Sequence, residues 1–294
     1  MHEKTFEDIS YNLKQFVGKT FVIKYGGSIM KNVEAKNAFI EDVVRLRKVG
    51  IHIIIVHGGG PYISELLNKL KIQTQFVKGL RVTDEKTMEV VEMVLSGKVN
   101  KEITGQLCRM GADAIGISGI DRSFIEAKKK YIYEEDKKID IGCVGNVERI
   151  HVTLLKDLLD KNYIPVISPV GCDQEGGVYN INADYVAAAV STAIKAEKLI
   201  LLTDVAGIYR DINDPSSFVS KIDVEEIKDY IQCEKIVGGM IPKMECCMHA
   251  VENGVNNVHL IDGRKSHSLL LNMLEDEGLG TIIGGKRGCQ KIIS

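Results

Sequence analysis

Two rhythms of apolar residues alternate along the chain. Phe6, Ile9, Leu13 and Phe16 recur at helical spacing and predict an amphipathic helix over residues 5–17. Two continuous apolar runs follow, TFVIKY at 20–25 and IHIIIV at 51–56. Each ends at glycines and leads into a helical stretch, about 33–48 and about 61–71. Strands that are apolar on both faces, with helices between them, mark a parallel sheet covered from both sides. The alternation continues with a helix over 85–109, a strand at 112–117, a helix at 153–161 and a strand at 163–168 that stops before Pro169. A helix opens near Asn182 and runs to about 195, and the strand 198–202 ends at Thr203 and Asp204. Helices near 223–231 and 240–253, a strand at 256–261, a helix at 267–274 and a last strand near 280–283 complete the pattern. Residues 124–150 depart from it and read as short antiparallel strands or a lid. There Lys128, Lys129 and Lys130, ahead of Glu134, Glu135 and Asp136, read as a solvated hairpin tip. Residues 205–221 read as loop. No repeat, low-complexity segment or clean linker divides the 294 residues, so the expectation is one α/β domain.

Composition narrows the class of function. The chain is 45% hydrophobic and 27% charged, with a net charge of −2, and so lacks the basic excess of a nucleic-acid binder. No apolar run reaches membrane-spanning length, and the first sixteen residues have no apolar core of the signal-peptide kind. The seven cysteines (Cys108, Cys143, Cys172, Cys233, Cys246, Cys247 and Cys289) are odd in number, irregularly spaced and without a C-x-x-C pair. That argues against a disulfide framework and a zinc site, and for reduced thiols in a cytoplasmic protein with no metal held by its side chains.

The glycines carry the chemistry. Gly18, Lys19 and Thr20 resemble the end of a phosphate loop, but the first glycine of that motif would fall at Leu13, and the strand follows the segment instead of preceding it. No G-x-G-x-x-G follows a strand either. What remains is Gly26-Gly27 and Gly58-Gly59-Gly60, at the carboxyl ends of two early strands, where ligands of open α/β sheets bind. Each cluster precedes a helix, so bare backbone N–H groups and a positive helix end are offered to an anion.

Several charged residues stand in costly places. Lys24, within an apolar strand, either meets an anion or snorkels to solvent. Lys243, just after Pro242 in a first helical turn, opposes the helix dipole unless a phosphate shares that end. Asp184, where a helix opens, suits both a cap and a partner for cations. Arg81, between Leu80 and Val82, is either a carboxylate clamp or a surface arginine. Asp204 either contacts a nucleotide or caps the next turn. His57 reads as structural rather than as a base.

Taken in order, these segments resemble the N-acetylglutamate kinase branch of the amino-acid kinase family. The motifs are KYGG at 24–27, VHGGGP at 56–61, GLRVT at 79–83, NINAD at 180–184, LTDVAG at 202–207 and GMIPK at 239–243. The first, second and fifth are common to the wider family, and the other three together are specific to the branch. The likeness runs from about residue 5 to 284. It implies a three-layer αβα sandwich with a central, mostly parallel sheet. Residues 20–178 would form a lobe for the amino-acid substrate, and 179–294 a lobe for ATP, with Mg²⁺ carried on the phosphates. Carried over motif by motif, Lys24 and Lys243 would stabilise the transferring phosphoryl group, with Asp184 holding both lysines and the Gly27 and Gly59 amides adding contacts. Gly59, Gly60, Arg81 and Asn180 would bind acetylglutamate, and Thr203 and Asp204 would lie at the nucleotide. The N-terminal helix, within residues 1–18, and the stretch 267–281 resemble the arginine-inhibited members. There the helix interlaces dimers into a hexamer, and His267, Glu277 and Gly280 would belong to an arginine site. A PII-type regulator is a further conceivable partner, whereas nucleic acid and membrane are not expected. One departure is Ser118-Gly119-Ile120-Asp121-Arg122, where the branch usually has a lysine at the position of Ile120.

The resemblance implies transfer of the γ-phosphoryl group of ATP to a carboxylate that is already ionised at neutral pH. No base is required, and positioning and electrostatics carry the reaction. Same-fold kinases for carbamate, aspartate, glutamate or UMP are the nearest alternatives, and a catalytically silent arginine sensor is the alternative of another class.

Overall fold

A computed structural model describes residues 13–134, 137–211, 213–274 and 279–284 of the chain. Its central sheet draws strands from the whole length. With all strands numbered in chain order, it holds β1 (Thr20–Tyr25), β2 (His52–His57), β5 (Ala114–Ser118), β8 (Ile164–Ser168), β11 (Lys198–Thr203), β14 (Lys221–Asp223), β15 (Asn257–Asp262) and β16 (Gly280–Gly284). They lie in the order β14-β16-β15-β11-β1-β2-β8-β5. Pairing is parallel from β15 through to β5, while β16 meets β15 antiparallel.

The period-two alternation of side chains splits each central strand between two layers. Phe21, Ile23, Tyr25, Ile53 and Ile55 face one apolar cluster with Phe39 and Val43 of α1 (Val33–Lys48). α2 (Gly60–Lys69), α3 (Glu85–Glu92) and α4 (Asn100–Arg109) add Ile63, Val91 and Leu107 to the same cluster. Val22, Ile54, Val56, Leu199 and Leu201 face the other. It contains Leu155 of α5 (Thr153–Asp160), Val186 and Val190 of α6 (Ala183–Ile194), Ile227 of α7 (Val224–Gln232) and Met244 of α8 (Met240–Glu252). α9 (Ser268–Leu274) closes the first layer through Leu269 and Leu270. The molecule is thus the expected αβα sandwich. β1 lies between β2 and β11, so its carboxyl end is flanked by loops from both halves of the chain.

Residues 124–150 differ from the expectation of short strands. β6 (Ile125–Glu134) and β7 (Lys137–Ile150) are long, and with β9 (Val170–Cys172) and β10 (Val178–Asn180) they close a barrel in the order β10-β7-β6-β9. The three lysines are not at its tip. Lys128 and Lys129 lie within β6 and reach across to Glu148 at 3.2 Å and Asp140 at 2.8 Å, while the Lys130 ammonium stands 4.8 Å from the Tyr185 ring. Cross-strand acids and a ring face let a run of like charges sit in mid-strand, which a charge pattern alone does not reveal. The expected helix over 85–109 contains a π-helical segment, Met93–Val99, between α3 and α4. The expected loop 205–221 contains a hairpin of β12 (Ile208–Tyr209) and β13 (Phe218–Val219), and a smaller hairpin pairs β3 (Phe76–Val77) with β4 (Leu80–Arg81). Of the amphipathic N-terminal stretch, Lys14–Phe16 form a 3₁₀ turn, and residues 1–12 lie outside the described residues.

Candidate functional site

Residues from five segments meet at the carboxyl end of β1. Lys24 follows Val22 by two, so it faces the α6 layer, one side-chain repeat beyond the last apolar contact on that face of the strand. There it finds Asp184 in the first turn of α6. Lys24 Nζ lies 2.9 Å from Oδ1, and Lys243 Nζ, from the first turn of α8, donates to Oδ2 at 2.7 Å. Asn182, not Asp184, is the cap of α6, its side chain accepting from the Asp184 N–H at 2.7 Å. The Asp184 carboxylate is therefore free to serve the two lysines. Burial pushes this carboxyl up, but the two ammonium groups overcome that and hold it far below the usual carboxylate range. Burial likewise pulls Lys243 down, and Asp184 more than restores it, so its ammonium is raised overall.

Facing this charge cluster, the two glycine turns pack against each other. Gly58 N–H donates to the Tyr25 carbonyl at 2.9 Å. A Cβ on Gly27 would press on the Gly59 backbone at 3.0 Å, and one on Gly59 would require the Leu95 side chain to move. Among the described residues the N–H groups of Gly27, Gly59 and Gly60 donate to nothing. These three glycines line a cavity of about 280 Å³ together with Lys24, Arg81, Asn180 and Asp184. Arg81 is buried in its wall. Its guanidinium donates to Ser64 Oγ at 2.8 Å, Thr74 Oγ1 at 3.0 Å and the Gly60 carbonyl at 3.3 Å, and stands 4.6 Å from the Phe76 ring. No carboxylate neutralises it among these partners. Asn180 Nδ2 donates to Thr83 Oγ1 at 3.3 Å. One end of the cavity is thus cationic and rich in bare amides. The wall formed by Ile63, Leu80, Leu95 and Val144 is apolar. Those four were not singled out from sequence, because each follows an ordinary strand or helix pattern.

His57 is fully buried, pairing Nδ1 with the Gly58 carbonyl at 2.9 Å and Nε2 with Asn100 Nδ2 at 3.2 Å. Burial, opposed by Gly58 and reinforced by Lys101, brings its pKa down to about 4, so it is neutral. A second cavity, of about 440 Å³, lies between residues 207–211 and 234–237, with Met240 at its edge. Thr203 and Asp204 are not among the residues lining either cavity. Thr203 ends β11, its carbonyl accepting from Gly263 N–H at 2.8 Å, and its hydroxyl lies 3.3 Å from Asp204 Oδ1. The second cavity's wall was missed from sequence because hairpin and loop residues there carry no periodic signal.

The Amino acid kinase family model matches residues 19–262, which contain this whole constellation. The chain belongs to the amino acid kinase family. An acetylglutamate kinase of Clostridium acetobutylicum is 55% identical over 293 residues, covering 99% of both chains. Among solved structures, an N-acetylglutamate synthase from Neisseria gonorrhoeae, complexed with coenzyme A and N-acetyl-glutamate, superposes with a TM-score of 0.82 at 23% identity. The match covers 96% of this chain but 63% of that longer one, less than two thirds of its length. A Giardia carbamate kinase superposes with a TM-score of 0.63 at 16% identity over 90% of this chain and 98% of its own. These two solved structures carry the family's fold.

Of the remaining expected residues of this amino acid kinase fold, His267 lies against α1, on the layer opposite α6. His267 precedes α9 in a left-handed conformation (φ 57°), with Nδ1 2.7 Å from Oδ1 of the buried Asp42 in α1. Gly280 opens β16 opposite Ile261, where a Cβ would run into the Leu260 carbonyl. Glu277 lies outside the described residues. Ile120, in the departing segment, precedes a turn held by Asp121 Oδ2, which accepts from the Ser118 N–H at 2.7 Å.

Proposed function

We propose that this amino acid kinase transfers the γ-phosphoryl group of ATP to the γ-carboxylate of N-acetyl-L-glutamate, giving an acyl phosphate in arginine biosynthesis. The observation that carries the reading is Asp184 held between Lys24 and Lys243, with Lys24 and Asp184 lining the same cavity as Gly27 and Gly59 and Lys243 joined to it through the Asp184 carboxylate. The 55% identity to an acetylglutamate kinase supports the choice of acceptor. The reaction brings an anionic carboxylate to a polyanion, and the acceptor needs no base. The neutral, fully hydrogen-bonded His57 agrees with that. Asp184 orients the lysines through its two oxygens, and the two ammonium groups and the glycine amides spread the charge that builds on the transferring oxygens. Arg81, buried and free of a carboxylate partner among its described contacts, is the group to hold the α-carboxylate, with Asn180 beside it.

The nucleotide reading places ATP toward the second cavity, with its phosphates reaching Lys243 and the loop after Thr203 and Asp204. Both Asp184 oxygens face lysines, so the site offers Mg²⁺ no free carboxylate there, and the ion would stay on the phosphates, neutralising part of their charge. The reading also implies a cytoplasmic enzyme. His267, Gly280 and Glu277 form a candidate arginine site, and the N-terminal segment a candidate hexamer contact. A PII-type regulator is a further candidate partner. ADP release is the test, measured with acetylglutamate, carbamate, aspartate, glutamate or UMP, each with and without L-arginine. Turnover with acetylglutamate alone, slowed by arginine, is expected. Turnover only with another acceptor would replace the substrate, and none with any of them would favour a sensor.

A further inference from the structure

Among the buried polar groups to which the mechanism gives no task, His57 stands nearest the glycine turn. His57 lies at the end of β2, directly before the glycine turn, and its bonds define its proton. Gly58 O has only lone pairs, so Nδ1 carries hydrogen. The Asn100 amide nitrogen lies 2.7 Å from the Val166 carbonyl and 3.3 Å from the Ile117 carbonyl, which identifies it as the NH₂ end. With two hydrogens for these two carbonyls and Nε2 at 3.2 Å, the NH₂ can share one between Ile117 O and Nε2, and Nε2 facing a donor carries no hydrogen, so the ring is the neutral Nδ1–H tautomer. α4 carries Asn100, and β5 and β8 hold it, so the ring is fixed from the sheet side. The one charged group acting on it from its surroundings is Lys101, whose ammonium donates to the Gly116 carbonyl at 2.7 Å.

The carbonyl that His57 holds belongs to the same peptide plane as the Gly59 N–H. In a trans peptide the oxygen and the hydrogen point in opposite directions, so fixing one aims the other. Among the described residues the His57 bond is the one hydrogen bond on this plane, while the planes on either side are held by Gly58 N–H on the Tyr25 carbonyl and by the Tyr62 and Ile63 N–H groups on the Gly59 carbonyl. We propose that His57 is a positioning residue: by binding the Gly58 carbonyl in its Asn100-locked tautomer, it aims the Gly59 amide at the phosphoryl acceptor site. The role rests on the phosphoryl-transfer reading of the cavity. It adds a residue that touches no substrate yet sets a transition-state donor.

Two substitutions separate this role from a structural one. The amide nitrogen of His57→Asn sits as many bonds from Cα as Nδ1 and keeps the Gly58 contact, while Asn100 loses its acceptor. His57→Gln reaches the Nε2 position and keeps Asn100 but releases Gly58. The Asn variant is expected to hold kcat within about 5-fold of the unaltered enzyme, and the Gln variant to lose about 10²-fold in kcat with KM for acetylglutamate little changed. Thermal stability is expected to rank the other way, Gln above Asn. If kcat follows thermal stability across the two variants, or if Gln keeps full kcat, the proposal is wrong. Imidazole ¹⁵N spectra give a readout independent of turnover: a non-titrating Nδ1–H ring between about pH 5 and 9 is expected, and an Nε2–H or titrating ring overturns the role. If the unaltered protein shows no acetylglutamate-dependent turnover, the substrate reading falls, and the ring spectra still decide the tautomer on which the positioning role depends.

Discussion

Each helical layer of the sandwich buries one carboxylate beside a basic partner, and the two have opposite electrostatic fates. On the α6 side, Asp184 meets two ammonium groups at 2.9 and 2.7 Å, and they outweigh the cost of burial. On the α1 side, burial pushes the Asp42 carboxyl up, and the His267 ring at 2.7 Å, aided by the Leu270 N–H at 3.2 Å, offsets only part of that. The difference lies in the number and strength of compensating charges rather than in depth, since both carboxylates are buried. A carboxylate held ionised by two lysines is a rigid part of a charge cluster. One compensated chiefly by a single imidazole keeps a net cost of burial.

The comparison can be broken experimentally. The largest effect is expected at the cluster itself. Lys24→Ala or Lys243→Ala is expected to lower kcat by about 10²-fold or more, read from steady-state ADP release. If both variants turned over normally, the lysines would have no part in the transition state. Asp184→Asn leaves two buried ammonium groups without their counter-ion and is expected to cost about 3 kcal/mol in urea unfolding. A loss below about 1 kcal/mol would mean that solvent, not the carboxylate, holds the lysines. Arg81→Ala is expected to raise KM for acetylglutamate by about 10-fold or more while kcat changes less, and an unchanged KM would remove Arg81 from the acceptor site.

Asp42→Asn is expected to change stability by no more than about 1 kcal/mol, because the amide oxygen can accept from the Leu270 N–H and its NH₂ can donate to His267 once that ring moves its proton to Nε2, without the cost of a buried charge. The smallest effect lies in the pH dependence, and its sign sharpens the contrast. Asp184 has a depressed pKa when folded, so its stabilisation is complete above the ordinary carboxylate value of 3.8 and is lost as pH falls below it. Asp42 has a raised pKa, so the fold loses stability as pH rises from 3.8 through the folded value. Urea midpoints between about pH 3 and 6 are expected to flatten at the acid end in Asp184→Asn, whereas Asp42→Asn is expected to steepen the rise with pH. Identical curves for the two variants would erase the distinction.

Much of the frame was legible. The alternation of apolar runs and helical stretches predicted the parallel sheet, and the helix over 33–48 coincides with Val33–Lys48. The long strands of 125–150 were not legible, because lysines in mid-strand read as a tip until their cross-strand acids are seen. In the site, Lys24 was conspicuous as a charge in an apolar strand. Asp184 was ambiguous, since a first-turn aspartate also reads as a cap, and only the structure assigns capping to Asn182. Leu95 and Val144 carried no signal, because an apolar residue lining a cavity has the same pattern as one lining a core.

The sequence alone determined most strands of the central sheet, the glycine turns at the ends of β1 and β2 and the positions of charges within apolar runs. Those depend on local periodicity and on backbone freedom, which each segment expresses by itself. The tertiary structure decided which charges meet. Lys24, Asp184 and Lys243 come together because β1 lies beside β11 and β2 with α6 across its end, and no local pattern records that order. It decided the state of His57 as well, since a tautomer belongs to the partners around a ring rather than to the ring.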